Sequence, residues 1–309
     1  MHIFLTTKPH FFDAKGLEIL DRVLQFDNVG SRVHFYFDTS FESDESLMHH
    51  IKGHAGARIT FIKDYTDAKL DFGLVFGGDG SVMWANKYLR EYPHDLPLIT
   101  FNLGSVGFIS KFRVDEIDDV LKSIHALSNG EQPVKQLYVE CYPKLQSVLH
   151  DKDGNEIKRF TSINEIVIEK PGAYSNWMEV SIDGIDLLAL NADGLLFATQ
   201  MGSTAYNASV NGPFLFPGSN NFIMSAIAPF AINFKSVVLD ASSQICVNIS
   251  EGNYGPEVKI NSDSNDSQIM TKGQKLCVQA SERKLCIMHW EDDLKKQWVS
   301  KIAKLYRWQ

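Results

Sequence analysis

The sequence predicts an α/β N-terminal domain with a parallel sheet, followed by a mostly antiparallel, all-β C-terminal domain. Three observations lead there. Over the first third, short apolar runs alternate with helical patterns, the signature of strands joined by crossover helices. From about Val134, strand-like runs follow one another directly, separated by turn signals. Finally, 309 residues of which 44% are hydrophobic and 22% charged suffice for two soluble cores of ordinary size.

Strands are expected at residues 2–6, 32–37, 58–62, 72–76 and 96–101. Between them, residues 17–26 carry Leu17, Leu20 and Leu24 at helical spacing, and a second helix is expected over 81–90, after a glycine cluster. An amphipathic helix over 114–127 closes this part. Strand-like runs then cover 134–142, 146–150, 158–169, 177–182, 187–190 and 195–199, with Asp153-Gly154 and Asp183-Gly184 as hairpin dipeptides. One helical stretch follows Gly202, residues 261–267 read as a polar loop, and residues 293–307 form a terminal helix with Leu294, Trp298, Ile302 and Leu305 on one face. The expected division is 1–130, 131–290, and a C-terminal helix 291–309 packing back on the first domain.

The net charge of −8 argues against an electrostatically driven nucleic-acid or anionic-membrane binder, but not against a small anionic ligand. No run approaches the ~18 apolar residues of a membrane span, and the N-terminus lacks a basic segment ahead of a long apolar core, so a cytoplasmic location is expected. The four cysteines lie far apart without a CxxC pair and read as buried, reduced thiols. His50 and His54 of HHIKGH share a helix face, but Gly53 weakens that helix and no carboxylate-rich segment offers a partner. A solvated face is expected there, and no metal ligands are assigned anywhere.

Four stretches carry polar chemistry at strand ends. Gly77-Gly-Asp-Gly-Ser81 follows the apolar run 72–76 and is either a tight strand-to-helix turn or a phosphate or ribose site with Asp79 in its middle. Asn102-Leu-Gly-Ser-Val-Gly-Phe108 is a second close-approach loop, with Phe108 as a stacking face or a core residue. Asn164 and Glu165 sit side by side ahead of an apolar strand, as a solvated edge or as a fork toward ribose hydroxyls. Asp193-Gly-Leu-Leu-Phe-Ala-Thr199 leads into Gln-Met-Gly-Ser-Thr-Ala-Tyr206, a turn whose hydroxyls and N–H groups could cap a helix or meet a ligand.

In this order the four stretches resemble the NAD kinase family, whose pattern is GGDG[ST], N-x-G-x-x-GF, NE, and DG-x4-T-P-x-GSTAY; the likeness covers roughly residues 71–259, and the second motif is similar to the eukaryotic-type branch. The resemblance implies ATP-dependent phosphorylation of the adenosine 2′-hydroxyl of NAD, giving NADP, with Mg²⁺ on the phosphates and a homodimer or homotetramer as the assembly. It implies Asp79 as the general base. Asn164 and Glu165 match the pair that binds NAD ribose and nicotinamide-side groups, and Asp193 matches a polar contact to NAD. Thr204, Ala205 and Tyr206 match the turn lining the nucleotide site, with Gly78, Gly80, Phe108 and Ser209 lining the same cleft. The chain departs from the pattern at Gln200 (usually Pro), Phe230 (His), Lys235 (Arg) and Ser264 (Gly after Asp). Two alternatives stand beside this reading: a lipid kinase sharing the glycine platform, or a non-catalytic NADP(H)-binding homologue.

Overall fold

The computed structural model describes residues 1–7, 11–25, 33–54, 57–90, 92–104, 107–231, 233–263, 266–290 and 294–306. Phe26, Arg32, Asp293 and Arg307, at the ends of expected elements, lie outside this range, as does Ser264. The chain forms two compact units, Met1–Cys141 with Leu285–Gln309, and Tyr142–Lys284.

In the first unit, β1 (His2–Thr7) is buried on both faces, as the central strand of a parallel sheet must be. Asp13 then receives the Gly16 N–H at 2.9 Å and opens α1 (Ala14–Gln25), which buries Ile19, Leu20, Val23 and Leu24 as one stripe. After β2 (His34–Asp38) and a short 3₁₀ turn, Asp44 caps α2 (Glu45–Gly53) through the Leu47 N–H at 2.9 Å. The unit continues with β3 (Arg58–Ile62), β4 (Phe72–Phe76), α3 (Asp79–Leu89), β5 (Pro97–Asn102) and β6 (Phe112–Arg113), and α4 (Ile117–Ser128) follows. The sheet runs β5-β4-β1-β2-β3 with every pairing parallel. Its core is aromatic: Phe35, Phe37, Phe76, Phe101 and Phe112 are fully buried, and Phe76 stacks on Phe101 at 5.2 Å.

β7 (Tyr138–His150) leads into the second unit, followed by β8 (Glu156–Ser162), β9 (Glu165–Glu169), β10 (Asn176–Ile182), β11 (Ile185–Ala192), β12 (Gly194–Ala198), α5 (Tyr206–Ser209), β13 (Asn221–Ile227), β14 (Val237–Asp240), β15 (Gln244–Ile249), β16 (Glu257–Ser262), β17 (Asp266–Thr271) and β18 (Lys275–His289). One antiparallel sheet runs β14-β13-β12-β9-β16-β17; β11, β10, β15 and β18 form another, with β7 and β8 paired beside them. Their inward faces share one core that includes Phe160, Ile168, Met178, Phe197, Val247 and Leu276. The last residues of β18 return to the first unit, where Cys286 and Ile287 pair in parallel with Pro97 and Leu98 of β5. α6 (Leu294–Tyr306) follows.

Three local expectations are corrected. The cysteines are not reduced thiols: Cys141 bonds Cys286, and Cys246 bonds Cys277. Cys246 and Cys277 are register partners on β15 and β18, a neighbourhood that spacing along the chain cannot reveal. The described part of 261–267 is not a loop: Asn261 pairs with Ser267 and Ser262 with Asp266 where β16 meets β17, while residues 264 and 265 lie outside the described range. The run 158–169 is two strands, interrupted at Ile163 and Asn164.

Phe197 is fully buried at the middle of β12, and its removal leaves a cavity the two sheets cannot close. Phe197→Ala is expected to lower stability by about 3–5 kcal/mol, read by urea denaturation.

Candidate active site

The apolar β4 strand ends at Gly77, whose N–H donates to the Phe101 carbonyl of β5 at 2.9 Å. Gly78 then caps α3 without a side chain, and Gly80 is exposed in its first turn. Between them, the Asp79 carboxylate reaches across to the second glycine loop. Its Oδ2 accepts the Phe108 N–H at 2.7 Å, and its Oδ1 accepts those of Ile109 at 2.9 Å and Ser110 at 3.1 Å. The Ser110 hydroxyl donates back to the Gly77 carbonyl at 3.0 Å. A Cβ on residue 107 would fall on Asp79 Oδ1, so only glycine permits this approach. Two motifs separated by a helix and a strand are therefore one device.

A carboxylate offers about four lone-pair positions, and three N–H groups occupy three of them. Among the described residues, Asp79 thus keeps one accepting direction, on Oδ2. The clamped loop also walls a cavity of about 750 Å³, lined in part by Gly107, Ser110, Lys111, Arg113, Lys135, Lys296 and Lys301. Lys301 Nζ donates to the Phe108 carbonyl at 3.0 Å and lies 5.6 Å from the centre of its ring. Cations outnumber carboxylates in its lining, five to the one of Glu116, although Lys111 and Arg113 are paired with Glu140 and Asp115. Nothing local in the sequence marks these lysines, because they come from separate segments.

The second unit repeats the clamp. Asp263 Oδ2 accepts the Ile163 N–H at 2.7 Å, and its Oδ1 accepts those of Asn164 at 2.8 Å and Glu165 at 3.2 Å. These bonds account for the break between β8 and β9. Asp263 sits at φ 47°, a left-handed conformation that Asp tolerates better than most residues. The Asn164 carbonyl accepts the Thr199 N–H at 2.9 Å, and a Cβ on residue 202 would fall on that same carbonyl. The glycine of the Gly-Ser-Thr turn is thereby explained by packing against Asn164. Gln200, where the resembled pattern has proline, accepts the Ser203 hydroxyl on its carbonyl at 2.6 Å, so a hydrogen bond closes the turn.

A smaller cavity of about 250 Å³ opens here, lined by Glu165, Val167, Glu169, Tyr206, Lys259, Asn261 and Asp263. Asn261 Nδ2 donates to Glu169 Oε1 at 2.6 Å. Burial, and then the neighbouring Asp263, push the Glu165 carboxyl up to about 8, against the opposing pull of the Tyr206 N–H. Glu165 is accordingly protonated at neutral pH, and its buried Oε2 has no hydrogen-bond partner among the described residues. Burial raises Asp263 to about 6, with its three backbone donors opposing.

Glu165 and Tyr206 thus meet at one cavity, while Asn164 contributes backbone to the clamp beneath it. The Thr204 hydroxyl donates to the Met201 carbonyl at 3.1 Å, and the Ala205 N–H to the Gly202 carbonyl at 2.9 Å. Asp193 pairs with Lys170 at 2.6 Å, and Ser209 is exposed at the end of α5. Phe230, 82% exposed, and Lys235 lie on the surface. Of the residues beyond the expected set, Asp263 carries a strand-end signal, whereas Glu169 and Asn261 are recognisable only once β9 and β16 are paired.

Both raised carboxyls hold a proton in the folded chain that the unfolded chain has released. Stability therefore falls as pH rises from 4.5 to about 8 through Glu165, and from 3.8 to about 6 through Asp263. Glu165→Gln is expected to remove the part of this slope between pH 6 and pH 8, leaving a flat thermal midpoint where the parent declines.

Two family models match the chain: the ATP-NAD kinase N-terminal domain over residues 19–131, and the ATP-NAD kinase C-terminal domain over residues 163–290. The NAD kinase of Chlorobium phaeobacteroides is 31% identical over 216 residues, covering 69% of this chain and 69% of its own. Yeast NADH kinase, solved with NADH, superposes with a TM-score of 0.82 at 20% identity, covering 99% of this chain and 87% of its own. An NAD kinase from Archaeoglobus fulgidus, solved with ATP, gives a TM-score of 0.65 at 19% identity over 98% of both chains. With both halves of the pattern matched in order, the chain belongs to the ATP-NAD kinase family.

Proposed function

We propose that this enzyme transfers the γ-phosphoryl group of ATP to the adenosine 2′-hydroxyl of NAD. One observation carries the reading: Asp79 is held between two glycine turns by three N–H groups which, among the described residues, leave one accepting position on Oδ2. That position suits the hydroxyl proton. The hydroxyl oxygen forms a bond to the γ-phosphorus, the bond from phosphorus to the β,γ-bridging oxygen breaks with its electron pair leaving on ADP, and the proton passes to Asp79.

The charges of the two cavities support a division of labour. The lysine-lined cavity of the first unit suits a triphosphate. The cavity of the second, where Glu169 and Asp263 stand beside a single lysine, Lys259, suits ribose hydroxyls or the cationic nicotinamide ring, with protonated Glu165 as a donor for an acceptor on the ligand. Within the same reading, Asn164, Thr204, Ala205 and Tyr206 border the NAD side, with Asp193 and Ser209 beyond them. Gly78, Gly80 and Phe108 border the phosphoryl side. Around Asp79 the nearest donors are backbone N–H groups, which favour anions over cations. Among the described residues, the only cluster of three His, Cys, Asp or Glu ligand atoms within reach of one ion lies elsewhere. Magnesium therefore has no protein cage at Asp79, and its place in this reading is on the nucleotide's phosphates. Assembly as a homodimer or homotetramer through the second unit belongs to the same reading.

Asp79→Asn replaces one acceptor by a donor facing an N–H, so it removes the base and loosens residues 108–110 together. Turnover is expected to fall about 10²–10⁴-fold in a coupled assay for NADP with ATP and Mg²⁺, while NAD binding changes little. Undiminished turnover overturns the base assignment. Lys135→Gln combined with Lys296→Gln is expected to raise KM for ATP about tenfold and leave KM for NAD unchanged. Equal effects on both would remove the triphosphate from that cavity.

A further inference from the structure

Outside both cavities, the first unit brings together a group that neither substrate accounts for. His50 and His54, four residues apart, project from the C-terminal end of α2 toward Asp21 in the second half of α1. There a single oxygen, Asp21 Oδ1, lies 2.6 Å from His50 Nε2 and 2.6 Å from His54 Nε2. The three potential ligand atoms all fall within 4.8 Å of one another, and the side chains are only 23%, 24% and 34% exposed. The carboxylate that the sequence around HHIKGH does not offer comes from a different helix. Neighbouring Arg22 does not compete for it, being paired with Asp118 at 2.9 Å.

We infer that Asp21, His50 and His54 form a mononuclear site for a divalent transition-metal ion, with zinc as the ion the donors suit best. Two imidazole nitrogens and one carboxylate oxygen form a borderline set, favouring zinc and its neighbours over magnesium or calcium, which take oxygen cages. Two histidines one helical turn apart supply adjacent corners of a tetrahedron at about 2.0–2.1 Å, and a third ligand from another helix leaves one position for solvent. The place suits a cation for a second reason: the C-terminal end of a helix carries partial negative charge. Two imidazoles gathered on one oxygen are an arrangement that a metal ion satisfies with a single centre. Occupancy would pin α1 at Asp21 to the end of α2, well away in sequence from Asp79.

The test uses the full-length, tag-free chain, stripped by chelator and titrated with zinc chloride by calorimetry. One equivalent is expected to bind, with affinity falling at least tenfold in Asp21→Asn and in His54→Gln, and stoichiometric binding lost in His50→Gln combined with His54→Gln. Zinc is expected to raise the melting temperature of the parent and not that of the double variant. X-ray absorption at the zinc edge of the loaded parent covers the case of a variant that does not fold, and should show two imidazoles with oxygen completing the shell. Failure of the parent to bind one equivalent, equal affinity in a folded double variant, or a sulfur-containing or single-imidazole shell would each overturn the site and leave two histidine–aspartate ion pairs.

Discussion

Both motif-bearing turns of this protein depend on one interaction, a carboxylate that gathers three consecutive backbone N–H groups. Asp79 does this for residues 108–110 and Asp263 for residues 163–165. A turn that points successive N–H groups the same way concentrates positive potential and leaves donors without partners, which inside a protein is costly. One anionic side chain answers all three at once and fixes the turn relative to a distant element. Charged hydrogen bonds of this kind are stronger than neutral ones, so the loops are positioned more firmly than their glycines alone would allow. The glycines follow from the same interaction: residue 107 must be small because the carboxylate stands where its Cβ would be.

How much of this was legible depended on whether the signal was local. The period of the apolar runs announces the parallel sheet and the strand-rich second half, because burial on one or two faces writes itself directly into the order of residues. Asp79, Glu165 and Tyr206 stand out as polar groups at strand ends. What no local pattern contains is pairing. Cys246 meets Cys277, Asn261 meets Glu169, and Asp21 meets His50 only through register or helix packing. The polar tract at 261–267 looks like a loop because its composition is that of one, yet Asn261 pairs with Ser267 and Ser262 with Asp266. The work of Asp79 was half legible: its presence in the motif was plain, but its grip on the second loop was not.

The charge of the whole chain also hides its parts. A net −8 describes the surface average, whereas five cationic side chains converge on one cavity and three carboxyl groups on another. Local potential, set by which side chains share a concavity, governs what each cavity accepts. Protonated Glu165 sharpens the point, since the carboxyl most deeply involved in its cavity contributes no charge at neutral pH.

The parallel pairing of Pro97 and Leu98 with Cys286 and Ile287 has a consequence for how the chain is made. The first unit is discontinuous: residues 142–284 are inserted between its body and its last strand and helix. During synthesis β6 can pair with Phe101 and Asn102 early, but the Pro97–Leu98 end of the β5 edge waits for its partner until the entire β-rich unit has emerged. Exposed strand edges invite pairing with other chains. The nascent protein is thus open to mispairing at that end of the edge until translation is nearly finished.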